Sequence, residues 1–274
     1  VTSTAVITVA HGRHDHLLSQ RRALAACEPG PADHVVVAID DEDVASLVSD
    51  GSPPARVLAQ DREAGRLPLA RARNRGAQQA LDLGHDLLVF LDVDCLPDPA
   101  LLAGYEAAIH QHPDALLCGP VAYLPPAPDG GYTAEDLAQA QPHPARPAPP
   151  AGEVVLDPTG HDLFWSLSFA VTAATWSTIG GFDEAYVGYG AEDTDFGRRA
   201  AARDVPIGWV GGALAFHQHH PVSHPPVEHL DDVLRNGRLF RERWGTWPMQ
   251  GWLDAFEADG LVERTPAGDY RRAS

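Results

Sequence analysis

The sequence contains no lysine: all 20 of its basic residues are arginines, set against 38 acids, for a formal charge of 20 − 38 = −18. Without lysine the chain forms no Schiff base through its own amine, and it holds no P-loop, whose Gly-Lys-Ser/Thr end needs that residue. The acidic excess repels a phosphate backbone, so nucleic acid is not an expected partner, and an anionic membrane surface is disfavoured for the same reason. It also favours small molecules or glycans that are neutral or cationic. Cysteine is scarce: Cys27, Cys95 and Cys118 are the only three, an odd number with no Cys-x-x-Cys spacing. That argues for a reduced, cytoplasmic setting rather than a disulfide framework. No stretch approaches the ~20 apolar residues of a spanning helix, and Ala5–Ala10 is too short for the apolar part of a signal peptide, so neither a membrane segment nor a leader is expected. Met249 is the single methionine. With many alanines and no lysine, this points to a GC-rich bacterial gene.

The remainder is ordinary globular material. The 274 residues are 44% hydrophobic and 21% charged, enough for a buried core in one large domain. Short β-branched runs at Ala5–Val9, Val35–Ile39, Ala55–Leu58 and Leu87–Leu91 read as strands. Helical stretches at Asp15–Ala26, Pro68–Leu83 and Pro99–His110 alternate with them, and a further strand is expected near Ala115–Val121. This β-α-β-α order predicts an α/β fold with a mostly parallel central sheet flanked by helices. Ligands of such sheets lie beyond the carboxyl ends of the strands. Asp40 and the pair Asp92/Asp94 fall at those ends.

Pro125–Pro150 breaks the pattern, with eight prolines in 26 residues, and reads as a Pro-rich loop insertion inside one domain. Beyond it, a strand is expected at Leu163–Val171, helices at Ala173–Ile179 and Glu192–Arg203, and one or two strands within Ile207–Phe216. Val227–Trp244 and Trp252–Ala258 close the chain as helices.

Three constellations carry chemistry. Asp92-Val93-Asp94 follows the apolar run Leu87–Leu91, so both carboxylates can turn toward one hard cation as they leave the core. Gly180-Gly181-Phe182-Asp183-Glu184 is followed by Tyr189-Gly190-Ala191-Glu192-Asp193, an aromatic-Gly-small run that brings backbone close to a ligand just before acids at a helix start. His217–His229 holds five histidines, and imidazole is a common ligand of first-row metals.

In this order, Asp40, Ala72-Arg73-Asn74, Asp92-Val93-Asp94 and the Gly180-to-Asp193 block resemble the GT-A (Rossmann-like) glycosyltransferases, closest to the family 2-like enzymes, over roughly residues 5–220. The second half also resembles the galactosyltransferase C-terminal-type module. The resemblance implies a metal-dependent, inverting hexosyltransferase that uses a nucleotide-diphosphate sugar, commonly a UDP-sugar, and a hydroxyl-bearing acceptor. It implies that Asp40 binds the nucleobase, that Arg73 lies near the nucleotide or its phosphates, and that Asp92 meets the ribose or the metal shell. Asp94 and His217 would ligate Mn²⁺ or Mg²⁺, with His219 and His220 as alternatives to His217. Glu192 would orient the acceptor hydroxyl and Asp193 would act as the base. Apart from the resemblance, the aromatic rings of Tyr189 and Trp165 are candidates to stack on the acceptor's sugar faces. The family's usual Trp-Gly-Gly before Glu-Asp is Tyr189-Gly190-Ala191 here. The expected division is a nucleotide-sugar half over 1–121, a mobile Pro-rich loop over 122–160, and an acceptor and catalytic half over 161–274. Two other readings stay open on sequence: a retaining transferase on the same fold, and a non-catalytic protein that binds nucleotide-sugar or metal.

Overall fold

The computed structural model describes residues 3–273. The first half runs β1 (Thr4–Ala10), α1 (His14–Leu24), β2 (Asp33–Ile39), α2 (Asp43–Leu47), β3 (Ala55–Gln60), α3 (Leu69–Asp82) and β4 (Leu87–Leu91). The strands pair in parallel in the order β3-β2-β1-β4, with Ile7 opposite both Val35 and Phe90. Both faces of this sheet are covered, which is why β4 is an unbroken apolar run. Its side chains still divide by the two-residue period of a strand. Leu88 and Phe90 pack with Phe169, Trp176 and Phe196 on one face. Leu87, Val89 and Leu91 pack with Leu101, Leu102 and Tyr105 on the other.

The chain continues with β5 (Cys95–Pro97), α4 (Leu101–Gln111), β6 (Leu116–Cys118), β7 (Val121–Tyr123), α5 (Ala134–Gln139), β8 (Val154–Asp157), β9 (Ser168–Thr172) and α6 (Ala173–Ile179). It ends with α7 (Glu192–Ala201), β10 (Ile207–Val210), β11 (Ala215–His217), α8 (Leu230–Trp244), α9 (Gln250–Ala258), β12 (Val262–Arg264) and β13 (Tyr270–Arg272). The eight-stranded main sheet has the order β3-β2-β1-β4-β9-β6-β10-β8. Only β9 and β8 run antiparallel to their neighbours. The expected α/β architecture with a mostly parallel sheet is the observed one. A second, three-stranded sheet β5-β11-β7 sits beyond the end of β4. Helices α8 and α9 and the β12–β13 hairpin share a separate apolar cluster built on Leu230, Val233, Leu253, Phe256, Val262 and Tyr270.

Three expectations need correction. The strand read at Ala115–Val121 is two, because Gly119-Pro120 separates β6 in the main sheet from β7 in the small one. Gly119 is pressed so close to Ala213 that a Cβ would lie 1.9 Å from its carbonyl oxygen. The strand read at Leu163–Val171 begins only at Ser168, since Gly160–Leu163 forms a 3-10 turn. The Pro-rich stretch 122–160 is also not one loop. It holds α5, started by a Thr133–Asp136 capping box, and β8, which extends the main sheet by pairing antiparallel with β10. β8 is a four-residue edge strand between prolines and glycines, too short to show a period in sequence.

Candidate active site

The Asp92-Val93-Asp94 turn is fixed from beneath. Gln20, fully buried on α1, donates its side-chain amide to the carbonyls of Asp92 (2.7 Å) and Cys95 (2.9 Å), and its own amide oxygen accepts from Thr8 at 2.9 Å. The turn closes with the Cys95 amide on the Asp92 carbonyl at 2.8 Å. From this turn the two carboxylates diverge.

Asp94 faces the small sheet. β11 runs antiparallel to β5 with His217 opposite Cys95, and the Gln218 amide donates to the Asp94 carbonyl at 2.7 Å. This register brings the His217 Nε2 to 3.6 Å from Asp94, and His220 arrives at 3.4 Å. The three offer ligand atoms within 4.8 Å of one another. Burial works to raise the Asp94 pKa, but His220, His217 and Arg13 outweigh it and hold the carboxyl below its usual range. Burial lowers the His217 pKa, and Asp94 offsets this only in part, so the ring is a neutral imidazole with a free lone pair. One carboxylate oxygen and two imidazole nitrogens suit a first-row divalent cation. His219 points elsewhere: its side chain is exposed and its amide donates to the Tyr132 hydroxyl at 3.0 Å. Arg13, whose guanidinium lies 3.8 Å from Asp94, carried no motif that marked it in sequence.

Asp92 does not join that cluster. It accepts from Arg73 Nη2 at 3.2 Å, and Arg73 Nη1 donates to Glu192 at 3.1 Å. Arg73 is buried on α3 and lies over the Phe182 ring at 5.3 Å. Burial works to lower its pKa, but Asp92 and Glu192 more than restore it, and the net shift is upward. Both terminal nitrogens of its guanidinium are thus engaged by the protein's own acids. Asp92 remains less acidic than usual, at about 6, because burial and the nearby Asp94 and Glu192 outweigh Arg73.

Glu192 and Asp193 open α7, with Ala191 ahead of them in the left-handed region at φ 74°. Glu192 has one oxygen on Arg73, and its Oε2 is buried without a partner. Asp193 accepts from the Thr194 amide (2.7 Å) and hydroxyl (3.3 Å) on Oδ1, which leaves Oδ2 free. Burial, then the charge of Glu192, pushes the Asp193 carboxyl up to about 7. Asp195, the third acid of the run, is structural: fully buried, it accepts from Tyr186, Arg243 and Trp244 and ties α7 to α8.

The other expected contacts are more scattered. Asp40 lies past the end of β2, but its carboxylate is 59% exposed and bound to Arg62 at 2.8 Å. The neighbouring Asp41 is the buried acid there, held by His14 at 3.0 Å and by the Gly12 amide at 2.7 Å. Tyr189 stacks on His229 at 4.3 Å and on Trp252 at 5.7 Å, against the C-terminal helices. Trp165 belongs to a different aromatic group, edge-on to His143 at 4.9 Å.

The main sheet, with its acids at the carboxyl ends of β2 and β4, is a known architecture. GalNAc-T7 in complex with UDP, GalNAc and Mn²⁺ superposes with a TM-score of 0.61 over 94% of this chain and 57% of its own, at 14% identity. The Staphylococcus aureus protein TarS (residues 1–349, with UDP-GlcNAc) gives 0.60 over 88% of this chain and 67% of its own, at 13% identity. The chain has the GT-A fold of glycosyltransferases. This GT-A chain spans little more than half the length of GalNAc-T7. Residues 160–222 match the family described as the N-terminal domain of galactosyltransferase. That segment contains Trp165, Glu192, Asp193, His217 and His220. A validoxylamine A glucosyltransferase of Streptomyces hygroscopicus subsp. jinggangensis is 41% identical over 44 residues, 16% of this chain and 10% of that protein. Among the described residues no helix is long and apolar enough to cross a membrane.

Proposed function

We propose that this protein is a metal-dependent, inverting glycosyltransferase that moves a sugar from a UDP-sugar to an acceptor hydroxyl. The observation that carries this reading is the convergence of two chemistries through Arg73: a carboxylate–imidazole cluster at the end of β4 and a base of raised pKa at the head of α7. The UDP and Mn²⁺ complexes of the GT-A neighbours support the choice of donor and cation.

Asp94, His217 and His220 would hold the cation, and the mixed oxygen and nitrogen donors favour Mn²⁺ over Mg²⁺. Bound there, such an ion neutralises charge on a leaving diphosphate. Arg13 adds a second positive group at the same place, which matters in a chain without lysine. Glu192, clamped by Arg73 through one oxygen, presents its unpartnered Oε2 to an acceptor hydroxyl. Asp193 Oδ2 takes the proton from the attacking hydroxyl, for which a pKa of about 7 is well matched. One displacement inverts the anomeric centre. Residues 1–121 would contribute the donor side and 161–274 the acceptor side, with Asp40 free to meet a base only after parting from Arg62.

Thermal unfolding with UDP or GDP, each with and without Mn²⁺, tests this. A ligand at a hundred times its Kd adds ~2.7 kcal/mol, roughly 5–10 °C for a chain of this size. UDP with Mn²⁺ is expected to give that shift and Asp94→Asn to lose it. A wild type that ignores both nucleotides has no donor site. With product in hand, a linkage of the donor's own anomeric configuration would replace inversion by retention.

A further inference from the structure

Among the described residues, Arg146 is a buried cation without a counter-ion. It is 6% exposed, and its Nε, Nη1 and Nη2 are all buried with no hydrogen-bond partner. The guanidinium lies between two indoles, 5.4 Å from Trp165 and 5.1 Å from Trp209. Cation–π contact and the neighbouring Cys118 sulfur recover part of its lost hydration, but no carboxylate or carbonyl oxygen of the described residues meets its five N–H donors. The nearby Cys118 thiol is pushed up to about 12 by burial and stays neutral. An unpaired buried charge is costly, and the other buried arginine of the site, Arg73, sits on two carboxylates.

Arg146 lines a tight slot, closed to a water molecule in this structure, whose walls include Tyr123, Pro142, His143, Pro147 and Trp165. A turn with the Arg146 amide on the His143 carbonyl at 3.1 Å sets both side chains on this slot. His143 Nδ1 accepts from the Ala145 amide at 3.1 Å, so in the neutral ring the proton is on Nε2, a further donor. The slot adjoins the cation cluster, since Tyr123 also stacks on His217 at 4.9 Å.

We propose that this slot receives an oxyanion carried by the acceptor, a carboxylate or a phosphate ester, as the counter-ion that Arg146 lacks. The word acceptor rests on the glycosyltransferase reading; the anion site does not. The net charge of −18 favoured neutral or cationic acceptors, but one desolvated guanidinium governs its own slot more strongly than a screened surface field. The slot must open to admit the anion, and Tyr123, the wall residue that is 43% exposed, is the side chain that would have to move.

The test is thermal unfolding and tryptophan fluorescence during titration with inorganic phosphate and, separately, acetate, on wild type, Arg146→Met and Arg146→Lys. Wild type is expected to gain a few °C at low millimolar phosphate or acetate, with a fluorescence change from Trp165 and Trp209. Whichever anion acts tells phosphate ester from carboxylate. Arg146→Met should lose that response and, without anion, unfold no lower than wild type; Arg146→Lys should keep a weakened response. Equal responses in wild type and Arg146→Met, or no response in wild type, would overturn the site. UDP with Mn²⁺ should stabilise all three chains alike. If Arg146→Met loses that stabilisation, Arg146 serves the donor instead; if wild type lacks it too, the transferase reading fails while the anion site stands.

Discussion

The cation side and the base side of the candidate site are held by different kinds of contact. Around Asp94 the neighbours stand off, with His220 at 3.4 Å, His217 at 3.6 Å and Arg13 at 3.8 Å. Around Arg73 and Asp193 the groups are bonded, at 3.1 and 3.2 Å to Glu192 and Asp92 and at 2.7 Å from the Thr194 amide. One side has room at its centre for a further ion. The other is knit by hydrogen bonds, with Arg73 the cation between Asp92 and Glu192. In the proposed transferase, a site divided in this way would keep Asp193 and Glu192 fixed while donor and cation come and go, which is what preorganisation requires.

The sharpest way to break this contrast is at the base. Asp193→Asn keeps the shape and one acceptor oxygen but removes the basic one. Transfer is expected to fall roughly a thousand-fold, with UDP and Mn²⁺ still stabilising the protein as in wild type; full turnover would remove Asp193 from the role. In wild type, kcat/KM should rise through the carboxyl's value of about 7. Stability runs the opposite way. A carboxyl whose folded pKa is raised from 3.8 to about 7 by burial and Glu192 binds its proton more tightly when folded, so its contribution is full below pH 4 and is lost as pH rises through 7. Asp193→Asn should thus be the more stable protein at pH 8, by up to roughly 4 kcal/mol, and should match wild type near pH 4. Melting curves at the two pH values decide it.

The next effect separates the two sides by stability alone. Arg73→Met leaves Glu192 and Asp92 without their cation, and breaking a buried pair from one side costs about 3 kcal/mol. Asp94→Asn, measured without metal, removes only stand-off contacts and should change stability by less than about 1 kcal/mol. Urea unfolding of both variants gives the comparison directly. Equal losses would mean that the cation side is as tightly held as the base side.

Much of this arrangement was legible in the sequence because it follows local rules. β4 was found to the residue, since an apolar run ending in acids has one reading, and α6 was found at Ala173–Ile179, just before the Gly180-Gly181 turn. Pairings over long separations were not legible. Arg73 was noted for its place in the chain, yet nothing local said that it would be buried between Asp92 and Glu192, 19 and 119 residues away. His220 stood among five similar histidines, and the choice was made by the β5–β11 register, a tertiary fact. Arg13 and Arg146 carried no motif at all. β8 was hidden by the prolines around it, because its order comes from β10 and not from its own four residues.

The smallest expected effect concerns how the base side is aimed. Ala191 holds φ 74°, where a Cβ crowds the following carbonyl, and it does so where the family that the sequence resembles commonly has glycine. The conformation turns the chain so that Glu192 and Asp193 emerge at the head of α7, and it is kept in place by neighbours. The Asn236 amide donates to the Gly190 carbonyl at 3.0 Å, and Ala191 itself is buried against Tyr186 and Phe240. Ala191→Gly removes roughly 1–2 kcal/mol of left-handed strain but raises the entropy of the unfolded chain by roughly 0.4–1 kcal/mol and gives up a buried methyl. The net change should be small, within about 1 kcal/mol of zero, with transfer activity unchanged. A clear loss of stability would show that packing of the Ala191 methyl outweighs the strain. A loss of transfer at unchanged stability would show that the methyl itself helps to aim Glu192 and Asp193, and the rigidity assigned to the base side would then begin one residue before the helix.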